Sequence, residues 1–316
     1  MPYKRLDEHD VDMFYVLNPD PVRFANASHD NLPPSMSNPL KPGLPVLVFV
    51  HAAASSVACW NKQLSDPRFA NHFNLFAMDC RFNGLTRGGE RKQHTLEDSA
   101  NCVTALLDEM DFPAYGVYGE GVHGAVIAAW IAIKRPQKMT GLLLASPGWR
   151  EEAPQVRAGL AGVQKALLIN KKGHGGDDTG TFTREGNADI CAYFIGDMPR
   201  MAPQREEMAV RFEQRYGAGH SAHDSRWLFE AVYQRKPIAQ ELMDTVRCPV
   251  LILRGADDNM VSPEAACEEW QRSFTRAPGG VSIHAVASAP PLISLSDPGI
   301  ANRIILQFFQ RSFESK

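Results

Sequence analysis

The apolar positions of this chain fall into short unbroken runs that alternate with segments of helical spacing. Residues 45–50, 73–79, 115–119, 139–145 and 249–254 are such runs or nearly so, and 281–286 reads as a last strand. A run that is apolar at every position has no solvent face, so strands of this kind belong to a parallel sheet covered on both sides. Residues 11–17 carry a strand-like mixture as well. Between the strands, Ala100, Val103, Leu106, Leu107 and Met110 recur at helical spacing behind Thr95-Leu-Glu-Asp98, a capping-box pattern. Trp60 starts or flanks an earlier helix, an alanine-rich helix spans Ala125 to Lys134, and residues 297–309 predict a closing helix. The alternation predicts an α/β fold with a mostly parallel central sheet and helices on both faces.

Two stretches depart from it. Residues 18–43 are rich in Pro, Asn and Ser and predict a long surface loop, with a place at the rim of a pocket as the alternative. From about 150 to 243 the strand-helix alternation stops. That region holds a Gly- and Asp-rich loop (Gly173 to Gly180), helical segments near Pro203–Tyr216 and Ser225–Val232, and the large apolar residues Phe182, Tyr193, Phe194, Met198, Met201, Phe212, Trp227 and Phe229. These residues are candidates for its core or for a pocket wall. The chain therefore divides into 1–149, 150–243 and 244–316.

With 316 residues, 44% of them hydrophobic, there is material for one substantial core. A net charge of −3 without a lysine and arginine cluster argues against a nucleic-acid partner. No run reaches the roughly 18 apolar residues of a membrane span, and no secretory leader opens the chain, so the expectation is a cytoplasmic protein without a membrane partner. Six cysteines are scattered without a C-x-x-C pair, which fits reduced thiols. The only close grouping of potential metal ligands, His220, His223 and Asp224, reads better as a solvated loop, so neither metal nor cofactor is expected. The oligomeric state stays open.

One stretch joins a strand to a helix through glycines: Tyr115-Gly-Val-Tyr-Gly-Glu-Gly-Val-His-Gly124. This is the context of the nucleophile elbow G-x-S-x-G, and through it the chain resembles the α/β-hydrolase fold superfamily over nearly its whole length. The resemblance implies that residues 11–17 open the sheet antiparallel, that Asp79-Cys-Arg-Phe-Asn-Gly84 braces the loop after its strand, and that 150–243 form an inserted, mainly helical cap over the site. On the motif, Gly119 and His123 take the two glycine positions, Glu120 the variable one and Gly121 that of the nucleophile. Glycine carries no oxygen, sulfur or carboxylate, so Gly121 cannot form a covalent intermediate.

The same resemblance places the catalytic acid in a G-x-x-D turn, here Gly255-x-x-Asp258, with Asp257 the alternative. It places the histidine about seven residues before the Asp297-Pro298 pair, which is Pro291. The triad therefore reads Gly121, Asp258, Pro291, without nucleophile or general base. The oxyanion hole implied by the family survives in principle, because Ala52 or Ala53 after His51 and Val122 after the apex still carry backbone N–H groups. His51 either serves that hole or only braces its loop.

Asp258, lacking its histidine, is a candidate for a raised pKa and acid–base work, or else only holds its turn. His123, in the first helical turn, is expected neutral and able to polarise a carbonyl, or else packs against the sheet. Glu120 is pocket-lining or structural. Losing the serine side chain and the imidazole is expected to deepen the pocket. Three functions are compatible: a cofactor-independent, non-hydrolytic enzyme acting on an apolar carbonyl- or hydroxyl-bearing small molecule; a ligand-binding pseudoenzyme or receptor; and an ester or lactone hydrolase whose catalytic residues were relocated or engineered out.

Overall fold

Valine, leucine and phenylalanine at successive positions of the central strands supply two apolar faces, and two buried clusters occupy them. Val46, Val48 and Val50 face one side of the sheet with Val117, Leu142 and Ile252, while Leu47 and Phe49 face the other with Leu75, Tyr118 and Leu253. In this computed structural model the described residues are 3–25, 37–89, 93–169, 191, 199–203, 205–206, 209–210 and 222–314.

The strands are β1 (Tyr3–Leu6), β2 (Val11–Leu17), β3 (Val46–Val50), β4 (Asn74–Met78), β5 (Arg87–Gly88), β6 (Tyr115–Glu120), β7 (Met139–Ala145), β8 (Val250–Gly255) and β9 (Val281–Val286). They form one sheet ordered β1-β2-β4-β3-β6-β7-β8-β9, with β5 paired to β2. From β4 to β9 every neighbour is parallel; β2 joins β4 antiparallel, and β1 joins β2 the same way. The antiparallel opening and the parallel body are as the sequence predicts. The β1 and β5 strands were not foreseen.

In chain order the helices are α1 (Pro21–Ala25), α2 (Asn61–Leu64), α3 (Pro67–His72), α4 (Leu96–Glu109), α5 (Gly121–Lys134), α6 (Pro154–Ile169), α7 (Ala222–Tyr233), α8 (Gln240–Met243), α9 (Glu264–Ser273), α10 (Ile293–Ser296) and α11 (Pro298–Glu314). Apolar faces of α4, α5 and α9 pack on one side of the sheet through residues such as Val103, Ile127 and Trp270. On the other side lie Leu64, Phe69, Ile305 and Phe309 from α2, α3 and α11. The box that starts α4 is complete: Asp98 N–H donates to Thr95 Oγ1 at 3.1 Å and Thr95 N–H to Asp98 Oδ2 at 2.9 Å. The short α1 interrupts the stretch expected to be a loop, of which 26–36 lie outside the described residues.

Among the described residues 150–243 contribute helices and no strand. Gly173 to Gly180, Phe182, Tyr193, Phe194, Met198, Phe212 and His220 lie outside the described residues. Met201 is buried, and the partly buried Trp227 and Phe229 pack with it and Leu228 against Ala52, Ala53, Ala54, Phe82 and Leu292. Two arginines join the ends of this region to each other and to the core. The Arg235 guanidinium donates to the carbonyls of Val232 and Trp149 and pairs with Glu152 at 2.7 Å, both side chains nearly buried; Arg150 donates to the Ile238 carbonyl. No helix among the described residues is long and apolar enough to cross a membrane.

Candidate functional site

The site lies where β3, β4, β6, β7, β8 and β9 end. Parallel pairing aligns Val50 with Gly119, Glu120 with Ala145 and Ala145 with Leu253, so the residues that follow these positions meet along one rim. Five of those following β3, β4, β7 and β9 are non-glycine residues with left-handed backbone: Ala54 (φ 55°), Phe82 (φ 64°), Ser146 (φ 46°), Ser288 (φ 54°) and Leu292 (φ 55°). Such residues cost about 1–3 kcal/mol each and gather where function demands a strained chain.

At the elbow, Gly121 has φ 68°, the turn expected between β6 and α5. Gly124 permits the close crossing of α5 over β3, because a Cβ there would stand 2.4 Å from the Val50 carbonyl oxygen. Two apolar side chains lie closest to the apex. A Cβ on Gly121 would stand 2.9 Å from the Ala52 Cβ and 3.5 Å from Leu292 Cδ2. The methyl of Ala52 and the isobutyl of Leu292 are thus the atoms that a side chain on Gly121 would meet. Pro291 and Leu292 are both buried.

His51 is fully buried and uses both ring nitrogens: Nε2 accepts from Cys80 N–H at 3.0 Å, and Nδ1 donates to the Ala52 carbonyl at 2.7 Å. The geometry is that of a brace between the loops after β3 and β4. Asp79 completes it, accepting the N–H groups of Val57 and Leu85 at 2.6 Å each. Burial pulls the His51 ring down to about 3. Among the described residues the N–H groups of Ala53 and Val122 have no hydrogen-bond partner, Val122 because it belongs to the first turn of α5. They remain available to a ligand oxygen.

His123 stacks on His51 with ring centroids 5.8 Å apart and donates from Nδ1 to the His51 carbonyl at 3.2 Å. That fixes the tautomer with Nε2 unprotonated. Burial, rather than the helix terminus invoked from the sequence, brings its pKa down to about 4. Glu120 points away from this role. It is buried and accepts from Tyr118 Oη at 3.1 Å, from Ser294 N–H at 2.8 Å and from Ser294 Oγ. It thereby ties the end of β6 to α10, which follows the loop bearing Pro291 and Leu292. Burial raises its pKa against the lowering effect of these bonds.

Asp257 is exposed and Asp258 is buried, which separates the two alternatives for the acid. Asp258 Oδ1 accepts from the N–H groups of Val261 and Ser262 at 2.9 and 3.0 Å, while Oδ2 has no partner. Burial pushes its pKa up, offset in part by the backbone N–H groups of Ser262, Val261 and Met260 and by Arg254. Sequence reading passed over two residues here. Leu292 gave no signal, since its meaning lies in what it covers. Ser146 left a trace, a polar residue ending an apolar run before Pro147-Gly148; it is fully buried and its hydroxyl is unpaired. Among the described residues no three His, Cys, Asp or Glu side chains gather as a metal site.

Comparison with known proteins agrees with the fold. A family model described as alpha/beta hydrolase fold matches residues 45–285. By sequence, no curated protein matches. Among solved structures, a hydrolase from Pseudomonas aeruginosa PA01 superposes with a TM-score of 0.70 at 18% identity, covering 97% of this chain and 97% of that one. The enol-lactonase from Burkholderia xenovorans LB400 gives 0.71 at 14% identity over 98% of this chain and 100% of its own. A thermophilic esterase from Thermogutta terrifontis gives 0.68 at 16% over 96% and 94%. At these identities the likeness is one of fold.

Proposed function

From the chain's membership of the alpha/beta hydrolase fold family, we propose that it uses the family scaffold without the family's covalent chemistry, as a cofactor-independent enzyme. Its substrate is a neutral, apolar small molecule bearing carbonyl or hydroxyl groups, and the reaction is an isomerisation, cyclisation, elimination or C–C bond step. The observation that carries this reading is Asp258. Its carboxylate is buried with one oxygen pinned by two backbone N–H groups and the other unpaired.

The chemistry follows from what each group can do. A ligand carbonyl set against the free N–H groups of Ala53 and Val122 gains stabilisation as negative charge develops on its oxygen. Asp258, with its affinity for a proton raised by burial, takes a proton from a carbon or hydroxyl beside that carbonyl and returns it elsewhere on the molecule. His123, neutral at working pH, offers Nε2 as a second acceptor. Positioning and oxyanion stabilisation suffice for such steps. Gly121 and Pro291 supply neither a nucleophile nor a general base for hydrolysis.

A ligand-binding pseudoenzyme is the second reading, favoured by the apolar filling of the elbow by Ala52 and Leu292. Hydrolysis by relocated residues is the third, and the names of the esterase and the enol-lactonase suggest esters and lactones as probes. The deciding experiment incubates the protein with carbonyl-bearing lactones, esters and polyketide-like compounds, beginning with whichever raises its melting temperature most, and resolves products by mass. A new peak of unchanged mass, or of two fragments summing to it, supports the proposal. Gain of one water overturns it for hydrolysis, and quantitative recovery of a bound compound overturns it for a binder.

A further inference from the structure

We infer that Ser146 and Asp258 together form a subsite for a hydroxyl group of the ligand, an enol or a phenol, beside the elbow. The inference rests on the non-hydrolytic reading above and specifies the chemistry its ligand must carry.

Register places the pair. Glu120 aligns with Ala145 across β6 and β7, and Ala145 with Leu253 across β7 and β8. Ser146 therefore stands one residue past the end of β7, beside Gly121. Its N–H donates to the Leu253 carbonyl at 2.8 Å, which anchors it to the strand that leads into the Asp258 turn. A second tie runs through Ser262. Its Oγ accepts from Gly148 N–H at 3.2 Å, and its N–H donates to Asp258 Oδ1 at 3.0 Å.

Three independent properties set Ser146 apart. It is 0% exposed. Its hydroxyl has no partner, whereas buried hydroxyls are ordinarily paired. Its backbone is left-handed at φ 46°, where a non-glycine residue is strained. A residue kept only for packing would lose nothing as alanine or glycine and would relieve one or both penalties. Asp258 presents the matching deficiency, a buried carboxylate oxygen without a donor.

One group satisfies both atoms. A ligand hydroxyl donates to Asp258 Oδ2 and accepts from the Ser146 O–H. A bare ketone or ester oxygen could only accept, leaving the carboxylate unserved. An anionic ligand is disfavoured, because Asp258 and the buried Glu120 both resist nearby negative charge. The subsite thus selects neutral hydroxy-carbonyl compounds.

The test compares 7-hydroxycoumarin with coumarin, binding each at pH 6 to wild type, Ser146→Ala and Asp258→Asn, with melting temperatures recorded for all three proteins. The expected result is about tenfold tighter binding of the hydroxylated lactone by wild type, about 1.4 kcal/mol. Both variants should lose that preference while Ser146→Ala melts at or above the wild-type temperature. Equal binding of the two coumarins by wild type, or a preference that survives in Ser146→Ala, overturns the subsite and leaves the proposed function standing. If wild type binds neither lactone, the carbonyl-ligand reading falls. The Ser146 assignment is then decided by stability: a melting temperature lowered by several degrees makes the hydroxyl structural and overturns it, and an unchanged or raised one supports it.

Discussion

The methyl group of Ala52 stands where a side chain on Gly121 would have to go: a Cβ built on the glycine is 2.9 Å from it. The two positions are therefore coupled, and the absence of the serine is built into the neighbouring loop. Restoring a nucleophile requires room as well as a hydroxyl.

Gly121→Ser alone should lower stability by about 1–3 kcal/mol, through overpacking against Ala52 and a left-handed non-glycine residue. It should show no burst with p-nitrophenyl acetate, since position 291 holds no histidine. The double variant Ala52→Gly, Gly121→Ser should recover most of the overpacking part. Thermal melts and fluorophosphonate labelling check both points; a single variant of wild-type stability would show that the loop yields freely.

Asp258→Asn separates chemistry from stability. Asparagine retains an oxygen to accept from Val261 and Ser262, so turnover or ligand affinity should drop at least tenfold while the fold persists. The folded pKa of Asp258 is raised. Its contribution is therefore full below the unfolded value of about 3.9 and is lost as pH rises through the folded pKa. The asparagine variant lacks that loss, so its stability relative to wild type should increase with pH. Urea melts from pH 4 to 8 measure the trend, and a flat difference would contradict the burial argument.

Histidines set the opposite limb. His51 and His94 are held near 3 and His123 near 4, each chiefly by burial. These depressed values contribute stability that is present above about pH 6.5 and is lost as pH falls through the folded values. Acid destabilisation should therefore begin near neutrality, with up to about 1.4 kcal/mol lost per pH unit per histidine. His123→Phe should make the urea midpoint less sensitive between pH 6.5 and 4; an unaltered slope would mean His123 is not neutral in the fold.

The body of the sheet was legible because its central strands are apolar on both faces, and a run such as Val46–Val50 has few other ways to be buried. The elbow and the Thr95 cap were legible because both are local patterns. What escaped depends on partners far along the chain. Leu292 acquires its meaning only by lying over Gly121, and β5 is a two-residue pairing that no periodicity can announce. Glu120 and Ser294 are 174 residues apart, and no spacing rule connects them. Nor does deleting side chains from a motif say which neighbours, such as Ala52, stand beside the vacated position.

Glu120→Ala should expose how much that distant pair supports. It leaves two Ser294 donors and the Tyr118 hydroxyl without their acceptor, which should cost about 3–5 kcal/mol. Glu120→Gln should cost far less, since its carbonyl can serve two of the three donors. Equal melting temperatures for the two variants would mean the pocket refills without the carboxylate.

Arg235 ties two distant stretches of chain with one side chain. Its pairing with Glu152 and its grip on the Trp149 carbonyl lock together the points where residues 150–243 leave and rejoin the core. Removing one partner of such a largely buried pair costs roughly 3–5 kcal/mol, because the other charge is left unpaired. One guanidinium thus holds both crossings of the chain, so a change at residue 235 would be felt at residue 149 as well.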